Sequence, residues 1–394
     1  MNVLSQISAV TWLNLLNVPR RAGMSLVVVV GIAAVTGVFI SALALAASFR
    51  QTVAATGRLD RAIVLRAGSV AEMTSGVTRD ASVVILDTVG VKHGENGRAV
   101  GAGELMASVE MTGKNGGTAA NVALRGVGPE PFTLRPELQV VAGRMFEPGV
   151  REVVVGRGAR ANFAGLELGD HISIHDTDWT VVGIFVGGNS HESEILADAE
   201  TVRSALHRNA NFQSVTVLLE SPDAFFRFRD ALNSNPALAV DVKREPEYYA
   251  EQSATISAVL FFVAFTVGGV MAIGALFGTL NTMYSAISAR AREIATLRAI
   301  GFGAVPVVIS VFVEALVLAL LGGLIGALLS WLLFNGNAIN TQGGNYSQIT
   351  FQLTITIGVI VLSIACACLI GILGGLPPAV RAARRPVAAA LRAT

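Results

Sequence analysis

The sequence predicts a polytopic α-helical membrane protein with four transmembrane helices and a large α+β extracytoplasmic domain between helices 1 and 2. Three observations carry this fold class. Of the 394 residues, 52% are hydrophobic and 14% are charged, whereas soluble domains carry about 25% charged residues. No Asp, Glu, Lys or Arg occurs between Arg21 and Arg50, between Glu251 and Arg290, or between Glu314 and Arg381. The charge gathers instead in 50–251, which holds 20 Lys and Arg against 26 Asp and Glu, a net of −6. With a net charge of +1 over the whole chain, so apolar a sequence is not a disordered one.

The elements follow in order. Residues 1–22 form a cytoplasmic, interfacial segment whose helix is only loosely amphipathic: Val3, Leu4, Ile7, Val10, Leu15 and Val18 share one side, while Trp12, Leu13 and Leu16 do not. A bilayer core of roughly 30 Å needs about 20 apolar residues in a helix, and 23–49 supplies the first span. Arg20-Arg21 and Ala44-Leu45-Ala46 also resemble a cleaved signal peptide, but the apolar run exceeds a usual signal core and reads as a retained span.

In the domain at 50–250, short β patterns occur at Ala62–Leu65, Ser82–Leu86, Glu152–Val155, His171–Ile174, Trp179–Phe185 and Ser214–Leu219. Helices are expected at Ala199–Arg208 and Pro222–Asn233, and a hairpin turning on Asp176-Thr177-Asp178. The second span is 251–289, followed by a short segment at 290–304. The 66 uncharged residues Ala315–Val380 break at a Gly- and Asn-rich run. That places the third span at 305–334, a loop at 335–351, the fourth span at 352–376 and a tail at 377–394.

Orientation follows from the arginines beside the spans. Arg20, Arg21, Arg290, Arg292, Arg298, Arg381, Arg384, Arg385 and Arg392 face one acid, Glu293, and the 335–350 loop has no charge. The positive-inside rule places both termini and the 287–304 loop in the cytoplasm and the acidic domain outside. The expected location is the bacterial cytoplasmic (inner) membrane, crossed several times.

Candidate functional residues are few. His171 and His175 are four apart on a strand, about 13 Å, too far for one ion with ligand bonds near 2.1 Å. No Gly-x-Ser-x-Gly or His-Glu-x-x-His occurs, so nothing marks a hydrolase. Cys366 and Cys368, both in the fourth span, face apart on a helix and leave the domain without a disulfide. Catalytic, cofactor and metal residues are expected to be absent. Gly274 and Gly278, Gly322 and Gly326, and Gly371 and Gly375 have the four-residue spacing that lets helices pack closely. Glu314 is the one carboxylate near a span; it is expected to pair with a nearby Arg and pin its helix rather than to carry ions. In 287–304, Ala, Arg, Glu and Leu favour a helix that Gly301 ends. Ile287, Ile294 and Leu297 share one side of it, with Arg290, Arg292 and Arg298 around them.

At these residues the chain resembles a family. Asn281–Gly301, then Val313-Glu-Ala and Gly322-Gly-Leu-Ile-Gly, together with Gly375–Arg392 and Asn14–Arg21, are similar to the FtsX/MacB-type permeases of ABC transporters. Gly143-Arg-Met-Phe, Glu152-Val-Val-Val-Gly, Leu168-Gly-Asp and Val182-Gly-Ile-Phe resemble the MacB-like periplasmic core domain.

The resemblance implies separate ABC ATPase subunits, which bind the ATP and Mg, and a second permease copy in a homodimer or a related permease. It also implies a coupling segment carrying Arg290, Arg292, Glu293, Ile294, Leu297 and Arg298. For an efflux system it further implies a periplasmic adaptor and an outer-membrane duct. Membrane lipid, not nucleic acid, is the other expected partner. MacB fuses its ATPase to the permease; no Gly-x-x-x-x-Gly-Lys-Ser/Thr occurs here, so hydrolysis is expected in a partner and the permease itself is not an enzyme. The implied function is ATP-driven efflux or extrusion through motion of the external domain. Two alternatives are lipoprotein extraction of the LolC/LolE type and FtsX-like, non-transporting mechanotransmission to a cell-wall hydrolase.

Overall fold

The computed structural model describes residues 3–17, 22–114, 119–207, 211–342 and 348–384. Val18, Arg20, Arg21, Arg208, Arg385 and Arg392, which entered the sequence arguments, lie outside them. The chain divides into two compact units. One comprises 1–47, 259–337 and 353–394; the other comprises 48–258 and 338–352.

The chain opens with α1 (Val3–Asn17) and α2 (Ala22–Ala54). The domain follows: β1 (Arg61–Arg66), α3 (Arg79–Leu86), β2 (Gly101–Thr112), β3 (Ala119–Val127), α4 (Pro131–Leu134), β4 (Gln139–Gly143) and β5 (Glu152–Gly156). It continues with α5 (Arg157–Asn162), β6 (His171–Ile174), β7 (Thr177–Val186), β8 (Glu194–Asp198), α6 (Ala199–Ala205), β9 (Ser214–Leu218), α7 (Ala224–Asn233) and β10 (Val240–Arg244). Then come α8 (Glu245–Ala289), α9 (Ala291–Ala299), α10 (Ala304–Phe334), the strands β11 (Ala338–Gln342) and β12 (Gln348–Gln352), and α11 (Ile357–Arg384).

The domain is built on one ten-stranded mixed sheet in the order β10-β1-β9-β2-β3-β8-β5-β7-β4, with β6 beside β7. Strand β2 joins its two halves. Residues Gly101–Glu104 pair with β9, and Leu105–Thr112 pair with β3. On one half, Val64, Val215 and Val217 pack with Ile85 of α3 and Phe225 and Phe228 of α7. On the other, Val153, Val155, Trp179, Val181 and Ile195 pack with Val202 of α6 and Phe163.

Three local expectations are corrected. Ser82–Leu86 belongs to helix α3, not to a strand. Thr78 Oγ1 accepts from the Ala81 N–H at 3.2 Å, and Asp80 sits in the first turn, where a carboxylate suits the helix dipole. These local signals outweigh the β-branched residues. The β6–β7 turn is the two-residue His175-Asp176, with φ of 47° and 60°. Thr177 and Asp178 are already paired, with Ile174 and Ser173. Positive φ at both positions matches the twist of a tight hairpin.

The stretch read as a loop at 335–351 contains the hairpin β11–β12, in which Ala338 faces Gln352 and Gln342 faces Gln348. The hairpin belongs to the domain unit. Thr350 N–H donates to Ser193 Oγ at 2.7 Å, Asn162 Nδ2 donates to Thr350 Oγ1 at 2.5 Å, and the Phe351 and Phe49 rings meet edge-on at 5.8 Å.

Among the described residues, four helices are long and apolar enough to cross a membrane: α2, α8, α10 and α11. Helix α10 is central to its unit. Its most apolar 18-residue window is 44% buried, against 11% for α8. Helix α11 runs past the expected end at 376 and carries Pro377 and Pro378 inside it, since Ala379, Ala382 and Ala383 go on packing as a buried helical face. Helix α1 lies on the first turns of α10. Ser310 Oγ donates to the Val10 carbonyl at 3.3 Å, Asn14 Nδ2 bonds Ser310 Oγ, and Val10 is buried while Leu4, Trp12 and Leu16 are exposed.

Candidate coupling site

Helix α9 ends as its sequence dictates. Gly301 has φ of 106°, a conformation that costs glycine little. The Gly301 N–H donates to Arg298 O and the Phe302 N–H to Leu297 O, both at 3.1 Å. This pair of bonds satisfies carbonyls that the helix leaves open.

The start of α9 is fixed by charge. Arg290 Nη1 donates to Glu314 Oε2 of α10 at 2.7 Å, with both side chains under a tenth exposed. Glu314 is thus paired with the arginine that precedes α9. Arg290 itself departs from the exposed coupling charge the sequence implied. It is buried, and its Nε and Nη2 meet no hydrogen-bond partner among the described residues.

Between α1, α9 and α10 lies a groove of about 590 Å³, lined by Val10, Leu13, Asn14, Glu293, Ile294, Leu297, Val307 and Val311 among others. Ile294 and Leu297 both reach it and both are half-buried. Ile294 also packs on the cluster of Met283, Ile287, Val311, Ala315, Ala379 and Ala382. A docking partner would then gain less than the roughly 1.5–3 kcal/mol of a complete burial from each. Arg292 is exposed and Arg298 half-buried.

The glycine pairs divide. A Cβ on Gly322 would come within 2.8 Å of the Val29 carbonyl, and one on Gly326 would collide with the Ala33 carbonyl, so α10 packs backbone-close on α2. Likewise, Cβ atoms on Gly371 and Gly375 would collide with Ala319 and Ala315, so α11 packs on α10. Gly274 and Gly278 have nothing within 4 Å. Helix α8 approaches α2 through Gly268, whose Cβ would strike Phe39, and α11 through Thr279 against Gly374.

In the domain unit a second site has no counterpart in the sequence reading. Arg125 is fully buried and donates to Glu72 Oε1 at 2.8 Å, Glu104 Oε2 at 2.9 Å and Glu194 Oε2 at 2.7 Å. Arg135 Nη1 donates to Glu104 Oε1 at 2.5 Å. Arg61, just after α2, donates to Glu245 Oε2 at the first residue of α8 at 2.5 Å and pairs with Glu137 at 2.6 Å. Tyr248 OH, in the first turn of α8, accepts from Glu72 N–H at 3.0 Å, and His191 Nδ1 lies 3.1 Å from Glu194 Oε2.

Burial alone would raise the Glu104 carboxyl, but Arg135 and Arg125 outweigh it and hold the group below the ordinary carboxylate value. Arg125 and His191 do the same for Glu194, against the same burial. The signal available in the sequence is a charge inside an apolar strand, as in Leu124-Arg125-Gly126-Val127. The partners, however, are up to about 180 residues apart, as Arg61 and Glu245 are.

Among the described residues no group of three His, Cys, Asp or Glu side chains could hold a metal ion. His171 lies exposed on β6, and its Nδ1 is 3.2 Å from Thr180 Oγ1.

Residues 22–235 match the family model of the MacB-like periplasmic core domain, and residues 255–387 match that of the FtsX-like permease C-terminal region. An uncharacterized ABC transporter permease from Methanocaldococcus jannaschii is 26% identical over 156 residues, which are 38% of this chain and 39% of the relative. The match thus spans about two fifths of that relative's length. Among solved structures, the periplasmic region of MacB from Actinobacillus actinomycetemcomitans is similar at 14% identity and a TM-score of 0.37, over 50% of this chain and 92% of that one. The extracellular domain of the ABC-type transporter YknZ from Gram-positive bacteria is similar at 16% identity and a TM-score of 0.36, over 47% and 100%.

Proposed function

The chain belongs to the FtsX/MacB-type permeases of ABC transporters, and we propose that it turns ATP hydrolysis by a separate ATPase subunit into movement of its extracytoplasmic domain. That movement drives efflux or extrusion of cargo. The carrying observation is the groove beneath α9: a short, capped helix fixed to α10 by Arg290–Glu314 offers a partner both an apolar floor and a rigid connection to a span. Helices α2 and α8 each continue from a span into the domain unit, so they are the covalent route by which the domain would be moved.

Carriage of an ion through the spans has less support. Glu314, the carboxylate of α10, is already neutralised by Arg290, and a proton or cation relay needs a chain of such groups. This observation favours a mechanical reading, shared by extrusion, lipoprotein extraction and FtsX-like signalling, over movement of cargo between the helices. The permease works as a homodimer in the inner membrane with its termini and α9 in the cytoplasm, and an adaptor and outer-membrane duct complete the efflux form.

The test is stimulation of the purified cognate ATPase by the full chain in proteoliposomes. Leu297→Asp places a carboxylate in the apolar groove and should abolish stimulation and co-purification. Arg292→Ala, an exposed position, should reduce both only slightly. Full stimulation by Leu297→Asp would remove α9 from the coupling role.

A further inference from the structure

Where β2 passes from one half of the sheet to the other, a short stretch has a strand on one side only. Gly101–Glu104 pair with β9, but pairing with β3 starts at Leu105 opposite Gly126. The Gln213 N–H donates to Glu104 O and the Leu218 N–H to Val100 O, while the Val100 N–H donates to Lys92 O, so the carbonyls of residues 100 and 104 face the β9 side of the strand. By the alternation of an antiparallel ladder, Gly101 and Gly103 direct theirs the other way. No strand among the described residues meets them.

Strand β3 could have continued across this edge. It stops because Val127 is followed by Gly-Pro-Glu-Pro: Pro129 and Pro131 have no N–H to donate, and Pro131 opens α4. Beside the edge is a cleft of about 490 Å³, lined by Gly94–Asn96, Arg98–Ala102 and Glu104 on one side and Val127–Pro131, Thr133 and Leu134 on the other. Its size is that of a ligand site, roughly 300–1,000 Å³. Gly101 and Ala102 line it and are half-buried rather than sealed, and Gly103, next along the edge, is half-buried too.

We propose that this cleft binds an extended peptide segment, which adds to β2 as the short strand that β3 does not supply. The rim sets Glu95 and Glu130 against Arg98, so charge selects little. Recognition rests on the main chain: the N–H and C=O of Gly101 and Gly103 pair with alternate residues of the peptide. The site is separate from α9 and does not depend on how the ATPase couples.

The test uses the full-length chain in mild detergent and a labelled, end-capped hexapeptide of alternating Val and Thr, read by fluorescence anisotropy. A peptide joined along one edge uses every second N–H. N-methylation of alternate residues should therefore leave binding within about threefold, and N-methylation of all residues should weaken it about tenfold or more. Thr133→Trp, at an exposed position on the cleft wall, should weaken the unmodified peptide by about tenfold or more with an unchanged melting curve. Glu130→Trp, on the same wall, repeats the measurement if Thr133→Trp alters folding. No saturable binding, equal binding of the fully methylated peptide, or indifference to a well-folded Trp variant would each overturn the proposal.

Discussion

Helices α8 and α10 are both long, apolar and rich in glycine, yet they are held in opposite ways. Helix α10 is fixed along its length: α1 and Arg290 at its first turns, α2 through Gly322 and Gly326, and α11 through Ala315 and Ala319. Helix α8 is fixed at its first residues, where Glu245 and Tyr248 enter the buried charge network. Further on, it touches α2 at Gly268 and α11 at Thr279 and buries Met283 and Ile287 against α10 and α11, while Phe262, Val270, Ile273 and Phe277 stay exposed. The difference is one of distribution: α10 is packed along its length, whereas α8 is held near its two ends and leaves an open apolar face between them.

The comparison breaks most readily at the root of α8. Arg61→Met takes the guanidinium from buried Glu245 and from half-buried Glu137 and should cost about 3–5 kcal/mol, the usual result of removing one partner of a buried pair. Loss of amide protection in 245–250 by hydrogen exchange would register it, with 259–289 much less affected. Acid should reach the same network. Glu104 and Glu194 have folded pKa values below the ordinary one, so their contribution is complete above about pH 4.5 and is lost as pH falls through the lowered values. A melting temperature of the domain that held steady below pH 4 would contradict this sign.

Glycine substitutions sharpen the contrast within the membrane unit. Gly326→Leu drives a side chain into α2 and should cost about 1–3 kcal/mol or more. Gly278→Leu meets open space and should change the stability of the single chain by about 0.5 kcal/mol or less. Thermal unfolding in detergent compares the two. If the open face of α8 meets a second copy, Gly278→Leu should still lower crosslinking between chains.

The sequence made some of this visible and hid the rest for physical reasons. Charge-free runs expose the spans because lipid tolerates few charges, and Gly301 ends α9 because the left-handed conformation singles out glycine. Gly322, Gly326, Gly371 and Gly375 lie at close helix contacts while Gly274 and Gly278 do not, although all three pairs share one spacing. Spacing defines a helix face and says nothing of what covers it. Ser82–Leu86 misled because a capping threonine outranked β-branched residues. The hairpin at 338–352 was hidden by Asn and Gly, which usually mark a loop, and its fit depends on Ser193 and Asn162, distant in sequence. The Arg61, Arg125 and Arg135 network was out of reach for the same reason: each pair closes only when the sheet forms.

If hydrolysis by a partner moves the domain, the separation between the domains of paired chains should change during turnover. Val83 is an exposed residue on α3 and can carry a spin label as Val83→Cys once Cys366 and Cys368 are replaced. Distances between labels on paired chains, reconstituted with the ATPase, are then read by pulsed dipolar spectroscopy before, during and after ATP turnover. The distribution is expected to shift during turnover, to return when ATP is exhausted and not to shift in the Leu297→Asp chain. An unchanged distribution while ATP is hydrolysed at the full stimulated rate would contradict it.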